Sequence, residues 1–207
     1  MSIRENYQRL RAEVPDTVTI VAAAKTRDVD EVRQLIDAGA TDIGENYVQE
    51  AEAVRAQLCA AADSVRWHLI GHLQTNKINK ALGLFDVIQT VDSARLARAI
   101  DKRADAPVDV LIEINSGREP QKTGVVPEEA EALIREIAPL PNIAVQGLMT
   151  MGPAFGDPED ARPVFRETRQ LFDRLASLAV PGLAMEILSM GMSNAFRVAM
   201  EEGSTMI

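Results

Sequence analysis

The sequence is poor in cysteine and carries fewer basic than acidic side chains. Its single cysteine, Cys59, excludes an internal disulfide and fits a reducing compartment. The formal net charge of −9 and the isoelectric point of about 4.8 argue against a surface for nucleic acid or for an anionic membrane. The chain shows no basic n-region followed by an apolar segment, and no long uncharged apolar run. We therefore expect a soluble, cytoplasmic protein with no nucleic-acid or membrane partner.

Several motifs of catalytic and cofactor sites are also missing. The sequence contains no Gly-x-Ser-x-Gly elbow, no P-loop and no Rossmann glycine fingerprint. No histidine or cysteine spacing resembles a metal site, so we expect no metal dependence. Cys59 lies in an alanine-rich helical stretch and is expected to be a small packing residue rather than a nucleophile. With 207 residues, 46% of them hydrophobic, the chain can bury a full core as a single domain over 1–207.

The chain does have a regular alternation of strand-like and helix-like segments. A helix over 2–13 leads, seven strand–helix pairs follow, and Ser204–Ile207 begin an eighth strand. The predicted strands are Val18–Ala24, Thr41–Ile43, Val65–Ile70, Phe85–Gln89, Val108–Ile114, Ile143–Leu148 and Met185–Leu188. This pattern predicts a (β/α)8 barrel or a doubly wound open sheet.

The polar residues at the strand ends decide between these two folds. A barrel gathers its site from the C-terminal ends of all its strands, whereas an open sheet uses one switch point. Here nearly every strand ends in a chemically useful group: Lys25, Gly44-Glu45-Asn46, His68 and His72, Thr90 and Asp92, Asn115-Ser116, Met149-Thr150, and Ser189 with Ser193. We therefore expect the barrel.

The lysine that ends the first predicted strand is the most informative residue. Lys25 closes the apolar run Val18–Ala24, where desolvation favours a neutral amine. Enzymes and cofactor carriers use such an amine to form a Schiff base with a carbonyl group. The alternative is that Lys25 merely leaves the sheet and extends into solvent, and the tetrad Ala22–Lys25 alone favours this alternative.

The segment Ser189-Met190-Gly191-Met192-Ser193 predicts a phosphate site at the seventh strand end. Two hydroxyls flank a glycine directly before a helix predicted over Asn194–Glu202. The small residues would let the backbone approach a phosphate, and the start of the helix would supply free N–H donors to it. Ser193-Asn194 could instead be helix caps, as could Asn46, and His68 could be a satisfied core histidine or a ligand contact. A lysine and a phosphate-binding site in one barrel favour pyridoxal 5′-phosphate as the cofactor.

Several long motifs resemble those of the pyridoxal phosphate homeostasis proteins (YggS-like or PROSC-like). They are Ala23-Ala24-Lys25-Thr26, Gly44-Glu45-Asn46-Tyr47-Val48-Gln49-Glu50, Trp67-His68-Leu69-Ile70-Gly71-His72-Leu73-Gln74-Thr75-Asn76-Lys77, Asn115 with Lys122-Thr123-Gly124, Gly147-Leu148-Met149, Ser189-Met190-Gly191-Met192-Ser193 and Gly203-Ser204-Thr205-Met206. They fall in the family's order over about residues 20 to 207. The resemblance implies a barrel like the N-terminal domain of alanine racemase, with the cofactor held as an internal aldimine on Lys25.

The resemblance also implies a function without an established turnover reaction. We expect a protein, in the form of a monomer, that buffers pyridoxal phosphate and delivers it to apo-enzymes, with no catalytic residue. The expected cofactor-binding residues are Lys25, Asn46, His68, Ser189, Gly191, Met192 and Ser193. The alternatives are a fold-type-III enzyme, such as an amino-acid racemase or decarboxylase, and an interaction module that has lost the cofactor. A racemase of this fold uses a tyrosine from a further domain, and Tyr47 could either face the site or pack into the barrel rim.

The sequence departs from the family pattern at its end. In the family, Gly-Ser-Thr-Met is followed by the rest of the eighth strand, an arginine thought to face the pyridine nitrogen, and a Gly-Thr segment that helps to clamp the phosphate. The printed sequence ends at Ile207, before all of them. We expect a truncated or partly ordered form, with the eighth strand cut short.

Overall fold

A computed structural model of the chain describes residues 2–153, 156–178 and 180–207. The strands are β1 (Val21–Ala23), β2 (Asp42–Glu45), β3 (Arg66–Leu69), β4 (Val87–Val91), β5 (Val108–Glu113), β6 (Ile143–Thr150) and β7 (Leu183–Met190). The α-helices are α1 (Ile3–Glu13), α2 (Val29–Asp37), α3 (Val48–Leu58), α4 (Ile78–Leu82), α5 (Ala94–Asp101), α6 (Ala130–Ile137), α7 (Arg162–Ala176) and α8 (Phe196–Glu201). Short 3₁₀ helices cover Cys59–Ser64, Thr75–Lys77 and Pro158–Ala161.

The strands form one parallel sheet in the order β1-β2-β3-β4-β5-β6-β7. Residues 205–207 lie between its two edges, where Met206 pairs in parallel with Ser189 of β7 and with Thr19 ahead of β1. The Val21 N–H donates to the Ile207 carbonyl (2.8 Å), and the Met190 N–H donates to the Met206 carbonyl (3.0 Å). The predicted parallel α/β architecture is confirmed as a curled seven-stranded sheet, whereas the eighth strand is present only as these single-residue bridges.

Strand β5 shows how the two faces of the sheet differ. Val110 and Ile112 are fully buried in the large cluster that packs the helices against the outside of the sheet. Leu111 belongs to a separate small cluster with Val87 and Met149. Because side chains alternate along a strand, this second cluster marks the concave face of the curled sheet.

The helix that follows β1 begins as the sequence predicts. Asp28 accepts from the Glu31 N–H (2.8 Å), and Glu31 accepts in return from the Asp28 N–H (3.1 Å), which completes a capping box. The start of α8 differs, because the Ala195 N–H donates to the Met192 carbonyl (2.9 Å) and a turn precedes the helix.

Cys59 is exposed at the end of α3 with φ of 54°, so it is not the packing residue that we expected. Among the helices that the structure describes, none has the length and apolar character needed to cross a membrane.

Candidate functional site

The carboxyl ends of the parallel strands bring the predicted site residues to one rim. Lys25 follows β1, Asn46 follows β2, and Gly191–Ser193 follow β7. Lys25 lies in the turn after Ala24 and is exposed, so the expectation of a buried amine at a strand end is wrong. The strand ends at Ala23, two residues before the lysine. Thr26, with φ of 64°, then turns the chain, and its N–H lies 3.4 Å from Glu50 Oε2.

Asn46 lies directly beyond β2 and is half-buried. Its Oδ1 is buried and has no hydrogen-bond partner among the described residues. Asn46 does not cap α3, because the N-cap position is Tyr47 and lacks a side-chain cap bond. The backbones of Gly71 and Asn46 lie close together here, because a Cβ on Gly71 would lie 2.2 Å from the Asn46 carbonyl oxygen. Tyr47 is 59% exposed, so its ring does not pack into the rim.

The two serines that were predicted to hold a phosphate have different surroundings. Ser189, near the end of β7, is buried and donates its hydroxyl to Gln89 Oε1 (2.8 Å). Ser193 is exposed, and the N-cap position of α8 is Ala195, so Ser193 does not cap that helix. Gly191 has φ of +100°, and a Cβ there would lie 2.9 Å from Ala199 Cβ, so the loop needs glycine. Met192 is half-buried, and its carbonyl holds the turn into α8.

His68 belongs to a buried polar chain across the concave face of the sheet. Its Nε2 lies 2.9 Å from Asp42 Oδ1, and its Nδ1 lies 3.0 Å from Gln89 Nε2. Ser189 extends the chain through Gln89 to β7. Both ring nitrogens of the fully buried His68 are thus paired within the protein. Of the two alternatives for His68, the geometry favours the satisfied core histidine, and a direct ligand contact would require breaking one of these bonds.

The carboxylate at the end of this chain is well stabilised. Burial acts to raise the pKa of Asp42, but the hydrogen bonds from His68 and from the Thr41 hydroxyl (2.7 Å) hold the pKa below its ordinary value. Asp42 is therefore ionised at neutral pH, and it accepts hydrogen bonds from both neighbours.

Two further buried carboxyl groups lack such support. Glu45 at the end of β2 and Glu113 at the end of β5 each have one oxygen, Oε2, without a partner among the described residues. Burial raises the pKa of Glu45 to about 7, with Glu50 adding to the shift. Burial also raises the pKa of Glu113, and the hydroxyl of Thr123, 2.6 Å from its Oε1, opposes that shift.

Four of these polar residues were not predicted as site residues: Asp42, Glu45, Gln89 and Glu113. Glu45 was noted only as one of the residues at a strand end. Each interrupts or ends an apolar strand, and that position was the one available sign of a buried role. The described residues hold no group of three or more His, Cys, Asp or Glu side chains placed to bind a metal ion. The rim instead offers an exposed amine, a buried amide oxygen and an exposed hydroxyl beside a glycine loop.

Comparison with known protein families gives a match over the whole chain. The family model of the alanine racemase N-terminal domain matches residues 1–207. The pyridoxal phosphate homeostasis protein of Aquifex aeolicus is 40% identical over 191 residues, which are 91% of this chain and 82% of that protein. The protein of the same name from Escherichia coli K12 is 34% identical over 197 residues, 93% of this chain and 83% of that one.

Solved structures give the same result. PipY of Synechococcus elongatus without PLP superposes with a TM-score of 0.91 at 32% identity, covering 100% of this chain and 96% of PipY. PipY with PLP bound gives a TM-score of 0.89 at 31% identity. An alanine racemase of Clostridium difficile gives a TM-score of 0.84 at 18% identity over 54% of its length, a likeness of fold alone.

Proposed function

The chain belongs to the alanine racemase N-terminal domain family and, within it, to the pyridoxal phosphate homeostasis proteins, and from this premise we propose that it binds pyridoxal 5′-phosphate as a lysine-bound cofactor and takes part in the homeostasis and delivery of that cofactor. The observation that carries the proposal is that neighbouring strands end in the exposed amine of Lys25 and in the amide oxygen of Asn46, which has no partner among the described residues. A buried amide oxygen without a partner is costly unless a ligand supplies a donor.

The rim residues fit the chemical groups of this cofactor. When bound, pyridoxal phosphate supplies an aldehyde carbon that forms a C=N bond with Lys25 Nζ as water leaves. Asn46 Oδ1 would accept a hydrogen bond from the ring hydroxyl beside that aldehyde. The side chain of Lys25 already lies in solvent, so no contact with the described residues has to break before its amine can react.

We assign the phosphate to the loop at Gly191–Ser193. Ser193 is exposed, so its hydroxyl could donate to a phosphate oxygen, and Gly191 has no side chain that would cover the loop. Met192 contributes backbone rather than side chain. Loss of one hydrogen bond to a charged group costs about 1.5–3 kcal/mol, which is about tenfold or more in affinity. Ser189 precedes this loop in the sequence, and its hydroxyl is linked through Gln89 to His68.

The exposure of Lys25 supports the proposed delivery to apo-enzymes. The amine of an acceptor protein can approach the same carbon atom from solvent, because no described element covers the Lys25 side chain. A lysine buried under a lid would retain the cofactor and block that exchange. The proposed partners are therefore proteins that present a lysine for the same aldehyde.

A spectral titration with two lysine variants tests the proposal. Lys25→Ala should abolish the visible absorption band that pyridoxal phosphate forms with the protein, and its far-ultraviolet circular dichroism should not change. The control is Lys80→Ala, because Lys80 is an exposed lysine paired with Glu52 (2.7 Å); this variant should keep the band. A borohydride-sensitive band of wild-type strength in Lys25→Ala would contradict the proposal.

A further inference from the structure

The loop at residues 117–124, between β5 and α6, is tied to a buried carboxyl group. Glu113, the last residue of β5, is 3% exposed, and its Oε1 accepts a hydrogen bond from the Thr123 hydroxyl at 2.6 Å. We propose that Glu113 is a pH-sensitive latch, which holds the 117–124 loop on the sheet while its carboxyl is protonated and releases the loop when the carboxyl is ionised. The latch requires no cofactor and is independent of the proposed function.

The side chain of Glu113 lies on the concave face of the sheet. Side chains alternate along β5, and Leu111, two residues earlier, belongs to the concave cluster with Val87 and Met149. The second carboxyl oxygen of Glu113, Oε2, is buried and has no hydrogen-bond partner among the described residues. An ionised Glu113 would therefore be a buried charge with a single donor, whereas water would supply donors to both oxygens.

The donor of this hydrogen bond belongs to a segment that can leave the sheet locally. Thr123 is exposed, and every other residue of the 117–124 loop is exposed or half-buried. Lys122 is paired with Glu119 and donates to the Gly152 carbonyl (3.3 Å), and Arg118 pairs with two glutamates at the surface. Exposed ion pairs contribute little to stability, and segments with few buried contacts open first. The bond between Thr123 and Glu113 is therefore placed to control the opening of the loop.

The groups around Glu113 favour its protonated form. Burial raises the pKa of Glu113 most strongly, and the Thr123 hydroxyl opposes that shift. Asp92, beyond β4, also raises the pKa of Glu113, and His72, beyond β3, lowers it. Met149 of β6, which pairs with Glu113 across the sheet, carries no charge. The net shift is upward, so Glu113 binds its proton more tightly under the closed loop than in water.

The direction of the pH effect follows from this difference. An open loop would leave Glu113 in water with its ordinary pKa of 4.5, whereas the closed loop raises that pKa. Closure is therefore most favourable below pH 4.5, and the advantage is lost as the pH rises through the raised pKa. Within that range the ratio of open to closed loop can rise at most tenfold for each pH unit.

Hydrogen exchange of two backbone amides measures the opening. The Asn115 N–H donates to the Val125 carbonyl, and the Val125 N–H donates to the Glu113 carbonyl, both at 2.9 Å. These bonds join the two ends of the loop to each other and to β5. The protection factors of both amides, corrected for the intrinsic exchange rate at each pH, should fall about threefold or more between pH 5 and pH 8. Protection that stays constant over this range would overturn the inference.

Three variants separate the latch from a general effect of pH on the protein. Glu113→Gln keeps an acceptor for Thr123 but has no proton to lose, so its protection factors should not change over the same range. Thr123→Val removes the donor and should lower protection at low pH by about twofold to tenfold. Glu129→Gln, at an exposed position before α6, is the matched control and should behave as the wild type. A pH dependence in Glu113→Gln equal to that of the wild type would overturn the inference and would point to another group, such as Glu45.

A titration of the carboxyl group itself covers the case in which Glu113→Gln does not fold. Carbon-13 NMR of Glu113 Cδ in the wild-type protein should give a midpoint above the ordinary value of 4.5. A midpoint at or below 4.5 would overturn the inference. All of these measurements use the ligand-free protein, so their failure would leave the proposed function standing. Failure of the wild-type protein to bind pyridoxal phosphate would overturn the proposed function and leave the latch standing.

Discussion

Two sets of buried polar groups on the same sheet differ in how well they are satisfied. In the chain of Asp42, His68, Gln89 and Ser189, every side chain has a partner at 2.8–3.0 Å. In the second set, Glu45, Asn46 and Glu113 each have a buried oxygen without a partner among the described residues. The first arrangement supports the fold, because fully paired polar networks rigidify a core. The second arrangement is costly to the free protein and is where a bound group would find an acceptor.

The carboxyl groups of the two sets titrate in opposite directions. The pKa of Asp42 is lowered by its hydrogen bonds in spite of burial, and the pKa of Glu45 is raised to about 7 by burial and by Glu50. Burial alone therefore does not decide the state of a carboxyl group. Pairing decides it, and the two sets can be told apart by their dependence on pH.

The largest effect is expected when the satisfied chain is broken. Gln89→Leu should lower the free energy of unfolding by about 2–4 kcal/mol, because it removes the partner of His68 Nδ1 and the partner of the Ser189 hydroxyl, both of which are buried. Urea denaturation measures the change. The same substitution at Gln121, which is exposed, is the matched control and should stay within about 0.5 kcal/mol of wild type. Equal effects of the two variants would mean that the chain contributes nothing to stability.

Glu45→Gln should stabilise the protein, and the gain should depend on pH. The pKa of Glu45 rises from 4.5 to about 7 on folding, so the folded state binds the proton more tightly and wild-type stability is lost as pH rises from 4.5 through 7. The variant has no such proton, so its advantage should be absent at about pH 4 and reach about 1–3 kcal/mol at pH 8. Urea denaturation at both pH values measures it, with the exposed Glu129→Gln as control. An advantage that is the same at both values would contradict the burial of an unpaired charge.

Asp42→Asn should have the opposite dependence on pH. The folded-state pKa of Asp42 is below its ordinary value, so its contribution is present at neutral pH and is lost as the pH falls through that folded-state pKa. The variant should be about 1–2 kcal/mol less stable than wild type at pH 7, and the difference should shrink in acid. Thermal unfolding monitored at a series of pH values tests this. A difference that grows as the pH falls would refute the assignment of a paired, ionised Asp42.

The smallest effect on stability is expected at Asn46. Asn46→Ala should change the free energy of unfolding of the ligand-free protein by less than about 0.5 kcal/mol, since its Oδ1 has no partner among the described residues. The same variant should lose about tenfold in affinity for pyridoxal phosphate. A large loss of stability without a loss of affinity would move Asn46 into the set that supports the fold.

The sheet was predictable because its pattern is local and repeated. Neighbours in the sequence determine an apolar strand such as the one predicted over Val108–Ile114. They also determine a helix start such as the capping box at Asp28. The exposure of Lys25 was one of two alternatives that the sequence left open, because it depends on β1 ending at Ala23 and on the turn at Thr26.

The surroundings of Ser189 and Ser193 could not be predicted from the sequence for a different reason. Ser189 donates to Gln89 at a separation of 100 residues, and Gln89 in turn contacts Met206 and His68. A motif shows that hydroxyls lie near a glycine, but it does not show where each proton points. Long-range pairing within the sheet decides that.

If the exposed amine of Lys25 holds the cofactor at the rim, the covalent bond to the cofactor must lie on that residue. The wild-type protein is loaded with pyridoxal phosphate, reduced with borohydride, digested and mapped by mass spectrometry. We expect the label on Lys25 alone. A label on Lys77, Lys80 or Lys122, with Lys25 unmodified, would contradict the assignment of Lys25 as the residue that binds the cofactor.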